Sequence, residues 1–281
     1  MKQRVLGPGG VQVAVIGEGT WNMERDDRAS SIAAIRRALD LGATHIDTAE
    51  MYGQGNVERL VGEALSGRRA EAFLVSKVLP SNATRPGTLA ACERSLKRLG
   101  TDYLDCYLLH WPGSHPLEET FRAFEDLRQA GKIRSWGVSN FDESELRRAV
   151  RIVGKGVITQ NQVLYHLGER RIEHEVIPYC ATEGIAVVAY SPFGSGDFPT
   201  TRVTGGKVLA TIADAHGVTP FQIALAFLTR QTHVFAIPKA STSAHVEDNV
   251  RAADVSLTEA DVAAIDEAFP RGPRRRGVPM F

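Results

Sequence analysis

The chain has 281 residues, 33 Lys and Arg against 33 Asp and Glu, with 43% hydrophobic and 23% charged residues. That apolar content excludes a disordered chain, and a formal net charge of zero argues against a surface built for nucleic acid. The N-terminus MKQRVLGPGG lacks a long apolar segment and no apolar run approaches the roughly 18 residues of a membrane span, so a cytoplasmic protein with no membrane partner is expected.

In chain order, residues 4–13 with GPGG in their middle predict a β-hairpin, followed by a first strand over 13–16. A helix at 30–41 carries Ile32, Ile35, Ala38 and Leu39 on one face, and strands follow at 44–46 and 73–75. Helices over 88–99 and 117–130 flank a strand at 103–109. Further strands are predicted at 133–138, 157–159 and 185–189, then helices at 205–216 and from Pro220 to Arg230. A last strand at 234–237 precedes a short helix over 244–250. Eight short apolar strands alternating with helices, without a linker, predict one α/β domain over 1–281: a single (β/α)8 TIM barrel with an N-terminal β-hairpin and a short C-terminal tail. An open doubly wound sheet is the alternative. The tail holds Arg271, Arg274, Arg275 and Arg276 and no acid, and reads as a solvated terminus, with a fold over an anionic ligand as the second option. Cys92, Cys106 and Cys180 are odd in number and far apart, so neither disulfides nor a metal is expected.

A barrel gathers its strand ends at one mouth, and here those ends are polar. They carry Asp47 with Tyr52, then Ser76-Lys77, His110-Trp111, Ser139-Asn140, Gln160-Asn161, Tyr190-Ser191 and Pro238-Lys239. A lone lysine there reads as a structural ion pair; five consecutive ends of this kind suit acid–base chemistry. A lysine beside a tyrosine is expected to lower the phenol from about 10, and an aspartate would hold that lysine charged. No G-x-G-x-x-G is present, which disfavours a Rossmann site. The loop Ser191-Pro192-Phe193-Gly194-Ser195-Gly196 and the loop from Lys239 through Ala240 and Ser241 to His245 sit where barrels bind phosphate. Lys239 and the following helix N-terminus would favour the anion.

These residues resemble the aldo-keto reductase superfamily, and bacterial members in particular. The matching stretches are GEGTW (17–21), HIDTAEMYG (45–53), Ser76-Lys77, LLHWP (108–112), GKIRSWGVSN (131–140), Gln160, AYSPFGSG (189–196) and IPK (237–239), in family order. The resemblance implies reversible, NAD(P)H-dependent reduction of aldehydes or ketones. It places the catalytic tetrad on Asp47, Tyr52, Lys77 and His110, with Tyr52 as general acid. It implies cofactor contacts from Gly19, Thr20 and Asp47; Ser139, Asn140 and Gln160 at the carboxamide; and Tyr190 stacked on the nicotinamide. The clasp over 191–195, Lys239, Ala240, Ser241, His245, Asp248 and Asn249 would hold the phosphates and adenine. Trp21 and Trp111, with Tyr52 and His110, would line the substrate site, to which Met51 and Phe193 could add. His110, rather than glutamate, points to carbonyl over alkene reduction. Where strong NADPH preference goes with serine and arginine, this chain has Ala240 and His245, so NADPH is expected with NADH tolerated. A small-molecule carbonyl, a monomer and no nucleic acid complete the expectation. The alternatives are a cofactor-binding regulatory subunit without turnover and a Schiff-base lyase using Lys77.

Overall fold

The hairpin lies where the sequence places it: β1 (Gln3–Val5) and β2 (Gln12–Ala14) pair antiparallel from Gln3–Ala14 to Val5–Gln12. A Cβ at Gly7, whose φ is +65°, would collide with the Thr159 carbonyl, so only glycine lets this hairpin seat against the barrel floor. This computed structural model describes residues 1–280; Phe281, the last residue of the expected tail, lies outside the described residues.

Eight parallel strands follow, hydrogen-bonded in chain order. They are β3 (Glu18–Gly19), β4 (His45–Asp47), β5 (Phe73–Val78), β6 (Leu104–Leu109), β7 (Ile133–Ser139), β8 (Gln160–Leu164), β9 (Ala186–Tyr190) and β10 (Val234–Ile237). Bridges from Ile16 to Ala236 and from Gly19 to Lys239 join the first strand to the last and close the barrel, which excludes the open sheet. The helices are α1 (Arg28–Asp40), α2 (Asn56–Ala64), α3 (Arg85–Leu99), α4 (Leu117–Gln129), α5 (Glu143–Val153), α6 (Val176–Glu183), α7 (Thr204–His216), α8 (Pro220–Leu228), α9 (Ser243–Arg251) and α10 (Glu259–Ala268). Their starts have local causes. Asp27, Thr84 and Thr242 each accept a first-turn amide, and Asp142, Thr219 and Thr258 form full capping boxes.

Two strands differ from the sequence reading. The apolar run at 13–16 begins in β2, and the barrel's first strand is the two-residue β3 after it. The run at 157–159 is not the sixth strand: β8 is Gln160–Leu164, a polar QNQVL stretch in which Gln162 meets Asp47 inside the barrel. Leu6, Val13, Ala186, Val188, Phe235 and Ile237 form a small apolar cluster inside the barrel, while the larger core lies between strands and helices. Among the described residues no helix is long and apolar enough to cross a membrane.

The C-terminal segment is tied down rather than simply solvated. Arg170, fully buried, bonds Glu173 at 2.7 Å, Asp266 of α10 and the Phe269 carbonyl. Glu173 also accepts from Tyr165 at 2.7 Å and pairs with Arg230 and with Arg271 of the tail. Arg274 pairs with Glu175, so two tail arginines are already neutralised. Burial raises the Glu173 carboxyl, but its hydrogen bonds from Arg170 and Tyr165 outweigh that and hold it below its usual value. A depressed carboxyl stabilises the fold at neutral pH and loses that contribution as pH falls through its folded value. Glu173→Gln is therefore expected to cost about 2–3 kcal/mol at pH 7, read from urea unfolding. The gap to the parent protein should narrow below pH 4; a constant gap would contradict the ionic origin.

Candidate active site

The first turn after β4 carries Tyr52 back over the barrel, and β5 alternates so that Val75 and Lys77 point inward. Lys77 has no exposed surface. Its ammonium donates to Asp47 Oδ2 at 2.6 Å, to the Thr48 carbonyl at 3.0 Å and to Tyr52 Oη at 3.1 Å, so each of its three hydrogens has an acceptor. Because Tyr52 Oη accepts from the lysine, its own hydrogen is left to point into the cavity. The second Asp47 oxygen accepts from Gln162 Nε2 at 2.7 Å, across the barrel on β8. The His110 ring stands edge-on to Tyr52 with centroids 5.9 Å apart and packs beside Trp111.

The electrostatics are those of a buried ion pair in a neutral shell. Burial pulls the Lys77 ammonium down, but Asp47 and Tyr52 outweigh it and keep it charged. Burial raises the Asp47 carboxyl against the pull of Lys77. Tyr52 departs from the sequence expectation: burial raises its phenol more than Lys77 lowers it, so the net shift is upward. The lysine limits the rise rather than reversing it. His110 lies well below its usual value, first through burial and then through Lys77, and is a neutral imidazole. Its Nδ1 is enclosed without a hydrogen-bond partner, leaving Nε2 as the nitrogen that can serve the cavity.

A cavity of about 350 Å³ opens above these groups. Gly19, Thr20, Trp21, Asp47, Tyr52, His110, Trp111, Ser139, Asn140, Tyr190, Lys239 and residues 191–194 of the predicted set line it. Lys77 lies just beneath. One wall is polar and internally linked: Tyr190 donates to Asn140 Oδ1 at 2.9 Å, Asn140 Nδ2 donates to the His110 carbonyl, and Ser139 donates to the Gln162 carbonyl. Asn140 and Ser191 hold positive φ, 60° and 47°, where the chain turns at the rim. The opposite wall is apolar, with Trp21, Trp111, Met51 and, from the tail, Met280.

Several expected contacts lie off this cavity. Gln160 does not line the cavity; Gln162 does, because β8 begins where the sixth strand was expected to end. Gln160 lies two residues deeper on the same face, fully buried, its amide atoms unpartnered. His45, two before Asp47, is likewise buried and unpartnered, and burial holds it neutral at about 3. Ala240 is buried and its N–H is given to Glu18 at 2.8 Å, so it does not face the mouth. Ser195 N–H is taken by Asp197 at 2.9 Å. Asp248 is bound to Thr219 and Gln222 of the α8 capping box. Ser241, His245 and Asn249 also lie off the cavity. Sequence reasoning missed Gln162, Asn22, Ile237 and Met280; only Gln162 carried a signal, as the third polar residue of QNQ.

The model of the Aldo/keto reductase family matches residues 15–269. The chain belongs to that family. It is 45% identical over 273 residues, 96% of each chain, to methylglyoxal reductase YeaE of Escherichia coli. It is 34% identical over 268 residues, covering 95% of this chain and 92% of the relative, to glyoxal reductase of Bacillus subtilis. The crystal structure of an aldo/keto reductase from Klebsiella pneumoniae, in complex with NADP and acetate, superposes with a TM-score of 0.94 at 41% identity, covering 100% of this chain and 99% of that one. The eight-stranded barrel and its N-terminal hairpin are thus the family architecture.

Two neutral, buried histidines also shape stability. Each has a folded value below its unfolded one, so the unfolded chain takes up protons that the folded chain refuses, and stability falls as pH drops below about 6.5. Between pH 6 and 5, His110→Gln should flatten that decline by about 1.4 kcal/mol per pH unit, one proton's worth, in denaturant titrations. An unchanged slope would mean that His110 titrates in the folded state.

Proposed function

We propose that the protein reduces small aldehydes and ketones, dicarbonyls foremost, with NADPH, NADH being tolerated, and that Tyr52 supplies the proton. The observation that carries this reading is the Lys77–Tyr52 hydrogen bond at 3.1 Å, with the ammonium held by Asp47 at 2.6 Å. It leaves the phenol as a donor facing a cavity lined by a neutral imidazole.

The lining residues fit a nicotinamide dinucleotide. Ser139, Asn140 and Gln162 form the polar wall for a carboxamide, the Tyr190 ring offers a flat face beside it, the 191–194 turn offers amides for the pyrophosphate, and Lys239 offers a cation for a 2′-phosphate. When bound, a reduced nicotinamide supplies hydride. A neutral His110 can hold the carbonyl oxygen by donating its Nε2–H without competing for the proton. Tyr52 gives its hydrogen to that oxygen as negative charge develops there; a raised phenol still transfers readily, because an alkoxide is far more basic than a phenolate. Lys77, fixed by Asp47, stabilises the phenolate left behind. Gln162 holds Asp47 in register. Trp21, Trp111, Met51 and Met280 give the substrate an apolar mouth, and relatives named for methylglyoxal and glyoxal reduction support the dicarbonyl preference. A Schiff-base role for Lys77 is disfavoured because all its hydrogens are engaged and its charge is held.

Loss of absorbance at 340 nm with NADPH and with NADH, over a panel of dicarbonyls, aldehydes and ketones, tests the reading. Turnover is expected, and Tyr52→Phe should lower kcat by about 10²–10⁴-fold while leaving dinucleotide binding intact. Dinucleotide binding without turnover on any carbonyl would favour a regulatory role.

A further inference from the structure

Among the described residues that line the cavity, Lys239 is the one cationic side chain. It is fixed at the end of β10 by the Gly19–Lys239 bridge and by the Gly19 N–H bond to the Pro238 carbonyl at 3.0 Å. Its ammonium does not stand open to an anion: it pairs with the carboxylate of Asp26.

Asp26 is held in place from both sides. It follows the single helical turn Met23–Arg25, whose Met23 side chain is fully buried, and its own N–H donates to the Met23 carbonyl at 3.2 Å. The next residue, Asp27, caps α1 by accepting from Ser30 N–H at 2.8 Å. A second acid lies beneath the same lysine. Glu18 is buried in β3 and accepts the Ala240 N–H, one residue beyond Lys239. One positive charge is thus faced by one contacting and one neighbouring carboxyl, on a rim where His245 lies off the cavity.

We propose that Asp26 is a built-in competitor for Lys239 that sets how strongly the protein prefers a dinucleotide bearing a 2′-phosphate over one without it. The inference rests on the cofactor reading above. A 2′-phosphate that engages Lys239 must displace Asp26, and the displaced carboxylate remains close enough to repel it. A dinucleotide without that phosphate asks nothing of Lys239 and meets no such cost. Asp26 therefore narrows the gap between the two cofactors. The pair is about one-third exposed, 33% for Lys239 and 28% for Asp26, so solvent screens it and the effect is a matter of a few-fold.

The test uses the full chain, with Kd for NADPH and for NADH read from quenching of tryptophan fluorescence. It compares the parent protein, Asp26→Asn, Lys239→Met and the double variant, each checked for folding by circular dichroism. Asp26→Asn is expected to tighten NADPH about three- to tenfold and to change NADH less than twofold. In the Lys239→Met background the same substitution should lose most of that gain. Equal tightening of both dinucleotides, no tightening, or a gain that survives without Lys239 would each overturn the assignment. Binding of neither dinucleotide by the parent protein would instead refute the cofactor reading itself.

Discussion

A lysine ammonium with no exposed surface is costly: stripping water from such an ion costs several kcal/mol even after the protein relaxes. The barrel offsets this by giving every hydrogen of Lys77 an acceptor and by placing Asp47 at 2.6 Å. Asp47 then needs partners for its own second oxygen, and Gln162 supplies one from the far side of the barrel. Strands β4 and β5 are therefore tied by one ion pair and β8 to β4 by the Gln162 hydrogen bond. The closure of β3 on β10 keeps solvent from the pair below, and the hairpin with Leu6 and Val13 seals the floor. Losing either charge would leave the other buried and unpaired, which is far worse than losing both.

How much of this was legible depends on the range of the interaction. The hairpin was readable because GPGG between short extended runs has few other uses, and the long helices because their apolar spacing and caps are local. The mouth was readable because a barrel converts strand ends into neighbours. The sixth strand was not, since its inward positions hold Gln160 and Gln162, and an apolar-run reading prefers the preceding 157–159. With the strand placed at 160–164, Gln162 reaches the cavity and Gln160 lies one layer deeper. The direction of the Tyr52 shift was also hidden: adjacency to lysine can be guessed from sequence, but the extent of burial that outweighs it cannot. The Asp26–Lys239 pair joins opposite ends of the chain through barrel closure, and nothing near either residue announces it.

The cavity's two walls have different structural supports. The polar wall rests on β7, β8 and β9, whose side chains bond one another, so it is rigid. The apolar wall draws on loops and on Met280 of the tail, which is anchored upstream through Arg271 to Glu173 and through Arg274 to Glu175. Glu173 belongs to the buried Arg170 network that also holds α10. The tail that brings Met280 to the cavity is thus held by two carboxylates, Glu173 and Glu175. Two of the four tail arginines, Arg271 and Arg274, have their charge balanced by carboxylate partners.

The interior polar groups leave the charge of the site nearly balanced. Lys77 and Asp47 cancel, while His110 and His45 are both neutral because burial and Lys77 push them the same way. In the proposed reaction the hydride donor's ring would become positive as the carbonyl oxygen becomes negative, and the Lys77 field would act on that oxygen through the proposed acid, Tyr52. Little reorganisation is needed, since the ammonium, the carboxylate and Gln162 are already fixed in the resting protein. A second charged group beside Tyr52 would upset that balance, which gives a physical reason for the imidazole to be neutral. The same reasoning separates the two lysines: Lys77 is buried with all its hydrogens committed and serves as a fixed field, whereas Lys239 is part-exposed and paired to a single acid, which an incoming anion can displace.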